Sequence, residues 1–401
     1  MEKKRVVIIG GGASGLMASI AAAQNGAVVT VLEQNEKPGK KICATGNGKC
    51  NFTNLQVQKD AYRSENTGFE KDVLEQFSVK DTVDFFSRLG IYPVNKNNGY
   101  LYPHSGQASS VVEILCMEAR SLGVKIKTNE HVECIYREAD IWKIRTGGWI
   151  YEGEAVILAN GSRASAISGS DGSGYVIASE LGHKIVEPLP ALTALKCKNK
   201  GFGGWAGVRT EGCIFLYADG EKIGEETGEM QLTDYGVSGI PVFQISRYAI
   251  RALKNGRNVT LKINFLPEFS REQLDTFLKK READCPYKGK KEFLTGLFPD
   301  KLAKVLLAYG NLQEAIGNYP LQVTGYPSFE QAQVCSGGVD TKEVNAHTME
   351  SRLHPELFFA DHNHYTFWNH VDDNWLAAFL GFRYILSGNG NPDGTSWKLQ
   401  D

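Results

Sequence analysis

The stretch from Met1 to Glu33 constrains this chain more than any other. Arg5-Val-Val-Ile-Ile-Gly10 is a short apolar run rich in β-branched residues, which reads as a buried strand. It leads directly into Gly10-Gly-Gly-Ala-Ser-Gly15 and then into the Ala-rich stretch Leu16 to Asn25. After Gly26 a second apolar run, Ala27 to Leu32, ends in Glu33. Strand, glycine turn, helix, strand and terminal acid together form the dinucleotide-binding fingerprint in its full context. Gly10 permits the tight turn, Gly12 lets backbone approach a pyrophosphate, and Gly15 lets the helix pack close to the strand. The N–H groups of Ala13 and Ser14 then open a helix N-terminus suited to an anion. The separation of Glu33 from Gly15 is close to the spacing that brings a carboxylate to a ribose hydroxyl.

The rest of the composition is that of an ordinary soluble enzyme-sized chain. Its 401 residues are 42% hydrophobic and 22% charged, with a net charge of −2. Such a balance gives no support for nucleic acid or an anionic membrane as a partner, and no apolar run is long enough to span a bilayer. Lys3-Lys4-Arg5 before an apolar run mimics a secretory signal, but Gly10 to Gly12 interrupts its apolar core. The expected location is the cytoplasm. Eight cysteines are scattered without a C-x-x-C pair, so neither a zinc site nor a disulfide framework is expected. Cys43 and Cys50 invite comparison with a redox pair, yet their gap is wrong for a thioredoxin-type motif.

From the N-terminus to Glu187 strands and helices alternate. Val111 to Leu122 has a helix pattern closed by Gly123, and Val124 to Thr128 reads as a strand. His131 to Arg137, Ile141 to Thr146 and Trp149 to Glu152 read as an antiparallel meander. Glu154 to Ala159 is a fully buried strand running into Asn160-Gly161-Ser162. Pro188 and Pro190 mark a change of texture. Short strands with turn signals over 189–265 predict a β-barrel, and Ser270-x-x-Gln273 opens a helical stretch with a capping box. The expected organisation is a first domain at 1–188 that resumes at 320–401, interrupted by an insert at 189–319. The insert divides into a barrel at 189–265 and a helical subdomain at 266–319.

Several local strings point to one family. They are Gly39-Lys-Lys41, Ala44-Thr-Gly-Asn-Gly-Lys-Cys-Asn51, Thr53-Asn54, Leu101-Tyr-Pro103 with Ser105 and Ala108, Gly228 to Gly239, Gln333 to Val339, Glu343-Val-Asn345 and Thr348 to Ser351. In this order and spacing the chain resembles the BaiN/HI0933-like bacterial flavoproteins, also described as aminoacetone-oxidase-like, over residues 4 to about 360. The resemblance implies FAD in the first fingerprint and an α/β fold: a doubly wound, Rossmann-like FAD-binding domain interrupted by a β-barrel plus helical insert. Carried over by residue, Gly10, Gly12, Ala13, Ser14, Gly15 and Glu33 match the AMP and pyrophosphate half of the site. Lys41, Gly46 and Asn51 match the loop that approaches the flavin, Val132 the strand whose backbone meets adenine, and Ala159 and Gly161 the second nucleotide-contacting turn. Lys40 and Lys41 are also suited to neutralising phosphate.

One segment departs from the family. After Leu357-Phe-Phe-Ala360 the family pattern is Gly-Glu-x-x-Asp-x-x-Gly-x-x-Gly-Gly-Tyr-Asn. Here residues 361–374 read Asp-His-Asn-His-Tyr-Thr-Phe-Trp-Asn-His-Val-Asp-Asp-Asn, and no glycine occurs between Gly338 and Gly381. A side chain in a close-approach position pushes backbone away from a cofactor. His362-x-His364 places two rings on one face of a strand, but no further spacing supports a metal.

The resemblance implies a two-electron FAD-dependent oxidoreductase. The expected reaction is NAD(P)H-linked reduction of a carbon–carbon double bond in an enone or 3-oxo-steroid or bile-acid-like small molecule. NADH or NADPH would bind only transiently, since no second GxGxxG follows a strand. Proton-donor candidates are Tyr102, His104 and Tyr235, each inside a family-like string; the insert bearing Tyr235 would roof the flavin. The alternative is a non-catalytic or degenerate FAD-binding protein with an altered C-terminal flavin segment. A role in tRNA flavin chemistry is disfavoured by the near-neutral charge.

Overall fold

The computed structural model describes residues 3–56, 62–64, 66, 68–96, 99–165, 169–198, 202–360 and 366–368. The chain divides into two units, Met1–Pro188 with Gly337–Asp401, and Leu189–Ser336.

The first unit is built on a five-stranded sheet ordered Leu357–Phe359, Ala155–Leu158, Arg5–Ile9, Val28–Glu33, Lys125–Thr128. All four pairings are parallel. Parallel sheets are covered on both faces, so their strands are apolar throughout. Val6 to Ile9, Ala155 to Leu158 and Leu357 to Phe359 are accordingly buried at every position. Helix Ala13–Gln24 connects the first two strands and buries Ser14 to Ala22 without a break. The expected meander forms as Val132–Glu138, Ile141–Thr146 and Ile150–Gly153, paired antiparallel. Chain order in the parallel sheet reverses between Arg5–Ile9 and Ala155–Leu158. A crevice therefore opens outside the carboxyl ends of these two strands, where doubly wound sheets bind ligands.

The second unit is a closed antiparallel barrel. Its strands run Leu195–Lys198, Gly236–Gly239, Glu221–Leu232, Arg209–Ala218, Val259–Asn264, Tyr319–Gly325 and back to the first. Inward residues alternate, as with Val259, Leu261 and Ile263 along one strand. Asp219-Gly220, one of the turn signals in this segment, makes the hairpin turn, Asp219 at φ 52° and Gly220 at φ 84°. The helical stretch follows as Arg271–Asp284, Asp300–Ala308 and Leu312–Gly317, and Ser270 and Gln273 form the expected capping box.

Two features differ from the expectation. Ile240–Lys254, inside the segment read as barrel, is an α-helix burying Val242, Ile245, Ala249 and Ile250. The sequence pattern assigns Tyr319–Gly325 to the resumed first domain. Instead it closes the barrel by pairing with Val259–Asn264 and Leu195–Lys198, so the chain returns to the first unit at Gly337. Of the atypical segment 361–374, only Thr366–Trp368 is among the described residues, paired antiparallel with Tyr62–Ser64. Asp361, His362, His364 and His370 lie outside them.

A buried histidine ties the last strand's approach to the unit. His183, 3% exposed, places Nδ1 3.0 Å from Glu343 Oε2 and Nε2 2.9 Å from Ser351 Oγ. Ser351 Oγ already accepts from the N–H groups of Leu353 and His354, so its own proton goes to Nε2. The imidazole is then neutral, with Nδ1–H donating to Glu343. Burial lowers its pKa from the usual value, the Glu343 carboxylate opposes this, and His354 adds a small push downward. A His whose folded pKa is depressed contributes stability above its unfolded pKa, near 6.5, that is lost as pH falls below it. The unfolding free energy from urea titrations should therefore decline between pH 7 and 5 more steeply in the native chain than in His183→Gln, by at most about 1.4 kcal/mol per pH unit. Parallel declines in the two proteins would remove His183 as the cause.

Candidate dinucleotide-binding site

At the switch point three stretches of backbone meet without side chains between them. Gly10 has φ 107°, and a Cβ there would sit 2.2 Å from Ala159 O. A Cβ on Gly15 would sit 1.8 Å from Gly10 O. Gly12 differs: its φ of −76° suits any residue, and nothing lies within 4 Å of its Cβ position. It is also the N-cap of helix Ala13–Gln24, without a side-chain cap and without an acid in the first turn. The N–H groups at Ala13 and Ser14 thus begin a 12-residue helix at an open backbone edge, the arrangement that holds a phosphate.

Glu33 closes the second strand and is only 6% exposed. Gly11 N–H donates to its Oε2 at 2.8 Å, and the Asn35 backbone and side-chain N–H groups donate to Oε1 at 2.7 and 2.6 Å. A carboxylate offers about four acceptor positions, so the acid braces the glycine turn and retains capacity for a hydroxyl. Beside it, Glu130 N–H donates to Glu33 O at 2.9 Å and Asn129 N–H to Asn35 O at 3.1 Å. These bonds run the strand containing buried Val132 past the same edge. Tyr151 OH donates to Glu130 Oε1 at 2.9 Å; burial first and this bond second push the phenol up to about 12.

The loop expected to approach the flavin is anchored to the turn, since Gly39 N–H donates to Gly11 O at 2.9 Å. Lys41 Nζ donates to Ala164 O at 2.9 Å, joining this loop to the stretch after Ala159 and Gly161. Gly46, Asn47 and Gly48 follow with φ of 55°, 54° and 79°, a left-handed run that exposes successive backbone groups. Asn51 is buried, and with its amide nitrogen turned inward it donates to Thr53 O and Leu101 O, each at 3.0 Å.

Ala159 N–H donates to Ile9 O at 2.8 Å, and Gly161 has φ 81°. Between them stands Asn160, which no sequence motif singles out. Its Nδ2 lies 3.4 Å from Ser173 Oγ, while its buried Oδ1 has no hydrogen-bond partner among the described residues. A Cβ on Gly10 would lie 3.1 Å from Asn160 Cα, so the residue adjoins the switch point. The structure thus places the glycines, Ala13, Ser14, Glu33, Ala159 and Gly161 at the carboxyl ends of one sheet, with the strand of Val132 brought alongside through Glu130 and Lys41 tied to Ala164 O beyond Gly161.

The three proton-donor candidates have different surroundings. Tyr102 packs at the left-handed run, its Cε1 3.2 Å from the Cβ position of Gly46, with Lys96 Nζ 5.1 Å from its ring centroid. His104 is exposed beside Tyr92, which is itself 72% exposed. Tyr235 belongs to the second unit, where its carbonyl accepts from Cys197 N–H at 2.9 Å. All eight cysteines are among the described residues and none is in a disulfide; Cys43 is exposed and Cys50 buried.

The two kinds of glycine make a paired test. Gly12→Ala should fold and melt as the native chain does but lose the dinucleotide, because its methyl occupies only the open space in front of the turn. Gly15→Ala should instead lower the melting temperature, since its methyl meets a carbonyl. Absorbance of bound cofactor and thermal unfolding of both variants distinguish the two effects.

The profile described as HI0933-like protein Rossmann domain matches residues 4–362. The chain is 42% identical over 376 residues to a 3-dehydro-bile acid delta(4,6)-reductase of Clostridium scindens, covering 88% of this chain and 91% of that protein. It is 29% identical over 378 residues to a ribosomal RNA dihydrouridine synthase of Escherichia coli, covering 90% and 91%. A flavocytochrome c3 fumarate reductase structure aligns at 17% identity and a TM-score of 0.47, over 96% of this chain and 77% of that one. Among the described residues no helix is long and apolar enough to cross a membrane. The chain belongs to the HI0933-like family and is an FAD-dependent oxidoreductase.

Proposed function

We propose that this enzyme reduces a carbon–carbon double bond conjugated to a ketone in a steroid- or bile-acid-sized molecule, with NADH or NADPH as the electron source. The observation that carries the reading is a glycine turn, open helix N-terminus and terminal acid in the dinucleotide-binding arrangement, in a chain 42% identical, over 88% of its length, to a bile acid reductase. The relative named a dihydrouridine synthase supports the same chemistry, because the double bond lost in forming dihydrouridine is also conjugated to a carbonyl. Two-electron reduction of such a bond adds a hydride to the carbon remote from the carbonyl and a proton to the carbon nearer it.

The residues present fit FAD. Gly12 with the N–H groups of Ala13 and Ser14 would hold the pyrophosphate, Glu33 the adenosine ribose, and the backbone beside Val132 the adenine. Lys41, the run Gly46–Gly48, Asn51, Ala159 and Gly161 would line the flavin half. The unpartnered Oδ1 of Asn160 is a buried acceptor, costly until a donor meets it, and the hydroxyl chain of the cofactor carries such donors. FAD supplies hydride-transfer chemistry when bound. The protein's task is then to exclude water, orient the enone and deliver the proton. Tyr102 is the donor we assign, because it packs against the flavin-side loop, its Cε1 3.2 Å from the Cβ position of Gly46.

The test begins with an absorbance spectrum of the purified protein before and after anaerobic NADH or NADPH. Flavin bands near-stoichiometric with protein and bleached by a nicotinamide are expected, followed by turnover of 3-oxo-4-ene and 3-oxo-4,6-diene steroids. Tyr102→Phe should retain FAD and its bleaching yet lower turnover by about 100-fold or more. A protein that stays colourless with added FAD would end this reading, and reduction of ribosomal RNA but not steroids would replace its substrate.

A further inference from the structure

A second concave site lies in the first unit beside the cradle. It is a cavity of about 780 Å³, within the size range of small-molecule sites. One wall is the loop from Asn35 to Cys43; the other is a single face of helix Ala108–Ser121, formed by Ser109, Val112, Glu113, Cys116 and Arg120. The walls are locked together at Gly39, where a Cβ would sit 2.5 Å from Val112 Cγ1. The same glycine donates its N–H to Gly11 O, so the groove is fixed to the dinucleotide turn. Neighbouring lysines diverge here: Lys41 is bonded to Ala164 O, whereas Lys40 lines the groove.

Its chemistry is that of a phosphate receptor with an apolar floor. Lys37, Lys40 and Arg120 line it, and Pro38, Val112 and Cys116 supply carbon and sulfur surface between them. Glu36 and Glu113 line it as well, yet none of the three cations is tied to either of them or to any other described carboxylate. Cations clustered without carboxylate partners beside an apolar surface match a ligand that carries both phosphate and a flat ring. Two lining residues also touch the cradle: Asn35 donates to Glu33 Oε1, and Pro38 Cβ lies 3.1 Å from the Cβ position of Gly11; Lys37, Lys40, Val112 and Arg120 are separate from the group around Gly10–Gly15, Glu33, Val132 and Ala159.

We propose that this groove binds the adenosine-phosphate end of the reduced pyridine nucleotide that serves as electron donor. This rests on the reading of the chain as an NAD(P)H-linked FAD reductase. Lys37, Lys40 and Arg120 pair with the phosphates, and the adenine lies against Val112 and Pro38. The loop that forms the wall continues through Lys41 into the flavin-side run Gly46–Gly48, so a nucleotide anchored here is held beside the segment it must serve. The overall reaction balances, because NAD(P)H and one proton are consumed as the double bond gains two hydrogens and NAD(P)+ leaves.

The test is calorimetric titration of the FAD-loaded protein with ADP-ribose, the portion common to NADH and NADPH, and with its 2′-phosphorylated form to distinguish the two donors. Lys37→Glu and Arg120→Glu are each expected to weaken binding at least about tenfold while FAD content, read by absorbance, is retained. Unchanged affinity in both variants, or no binding to the native protein, would overturn the groove. A protein without FAD would fail the flavin reading separately, and the titration still decides. Binding kept in Gly12→Ala and weakened in Lys37→Glu supports the groove, whereas the reverse pattern assigns the ADP-ribose to the cradle and overturns it.

Discussion

In the first unit backbone packs directly on backbone where the Gly10 carbonyl lies under Gly15 and Gly10 itself meets the Ala159 carbonyl. Everything proposed for the site follows from that crossing. It sets the helix N-terminus on the end of the central strand, fixes the distance between the first and second nucleotide-facing turns, and leaves the edge at Gly12 open. Side chains at these positions would separate the elements, and no rearrangement elsewhere could bring them together, since interiors are close-packed.

A second layer of constraint holds the turn in shape. Glu33 accepts from Gly11 N–H, and Gly11 O accepts from Gly39 N–H. Gly11 thus links the fingerprint to the acid at the end of the second strand and to the loop that leads to Gly46. The acid matched to a ribose is first a brace for the glycines. Its chemistry and the shape of the turn are therefore inseparable, and the same bonds connect the cradle to the groove over Val112.

What the sequence made legible was local. The glycine spacing encodes backbone contacts directly, Asp219-Gly220 encodes its own turn, and Ser270 with Gln273 encodes a helix start. Helix Ile240–Lys254 is hidden because its apolar positions, Val242, Ile245, Ala249 and Ile250, are interrupted by the buried polar residues Gln244, Ser246 and Arg247. The glycines around it also mimic strand turns. Tyr319–Gly325 is recognisable as a strand, but its partners are Val259–Asn264 and Leu195–Lys198, far back along the chain. Pairing at that range leaves no mark on a local pattern. Asn160 escapes notice because its significance lies in an unmet hydrogen bond, which only coordinates reveal.

Barrel closure has one more consequence. The strand that starts the ring, Leu195–Lys198, is bonded to the strand that ends it, Tyr319–Gly325, so the segment's two ends emerge side by side. A module of that kind can be spliced into a host chain at a single point without stretching either partner, as inserted domains generally are. It can equally be lost, duplicated or exchanged as one piece. Variation in the barrel and its helices is thereby uncoupled from the glycine crossing, and one nucleotide-binding frame can carry inserts adapted to unrelated molecules.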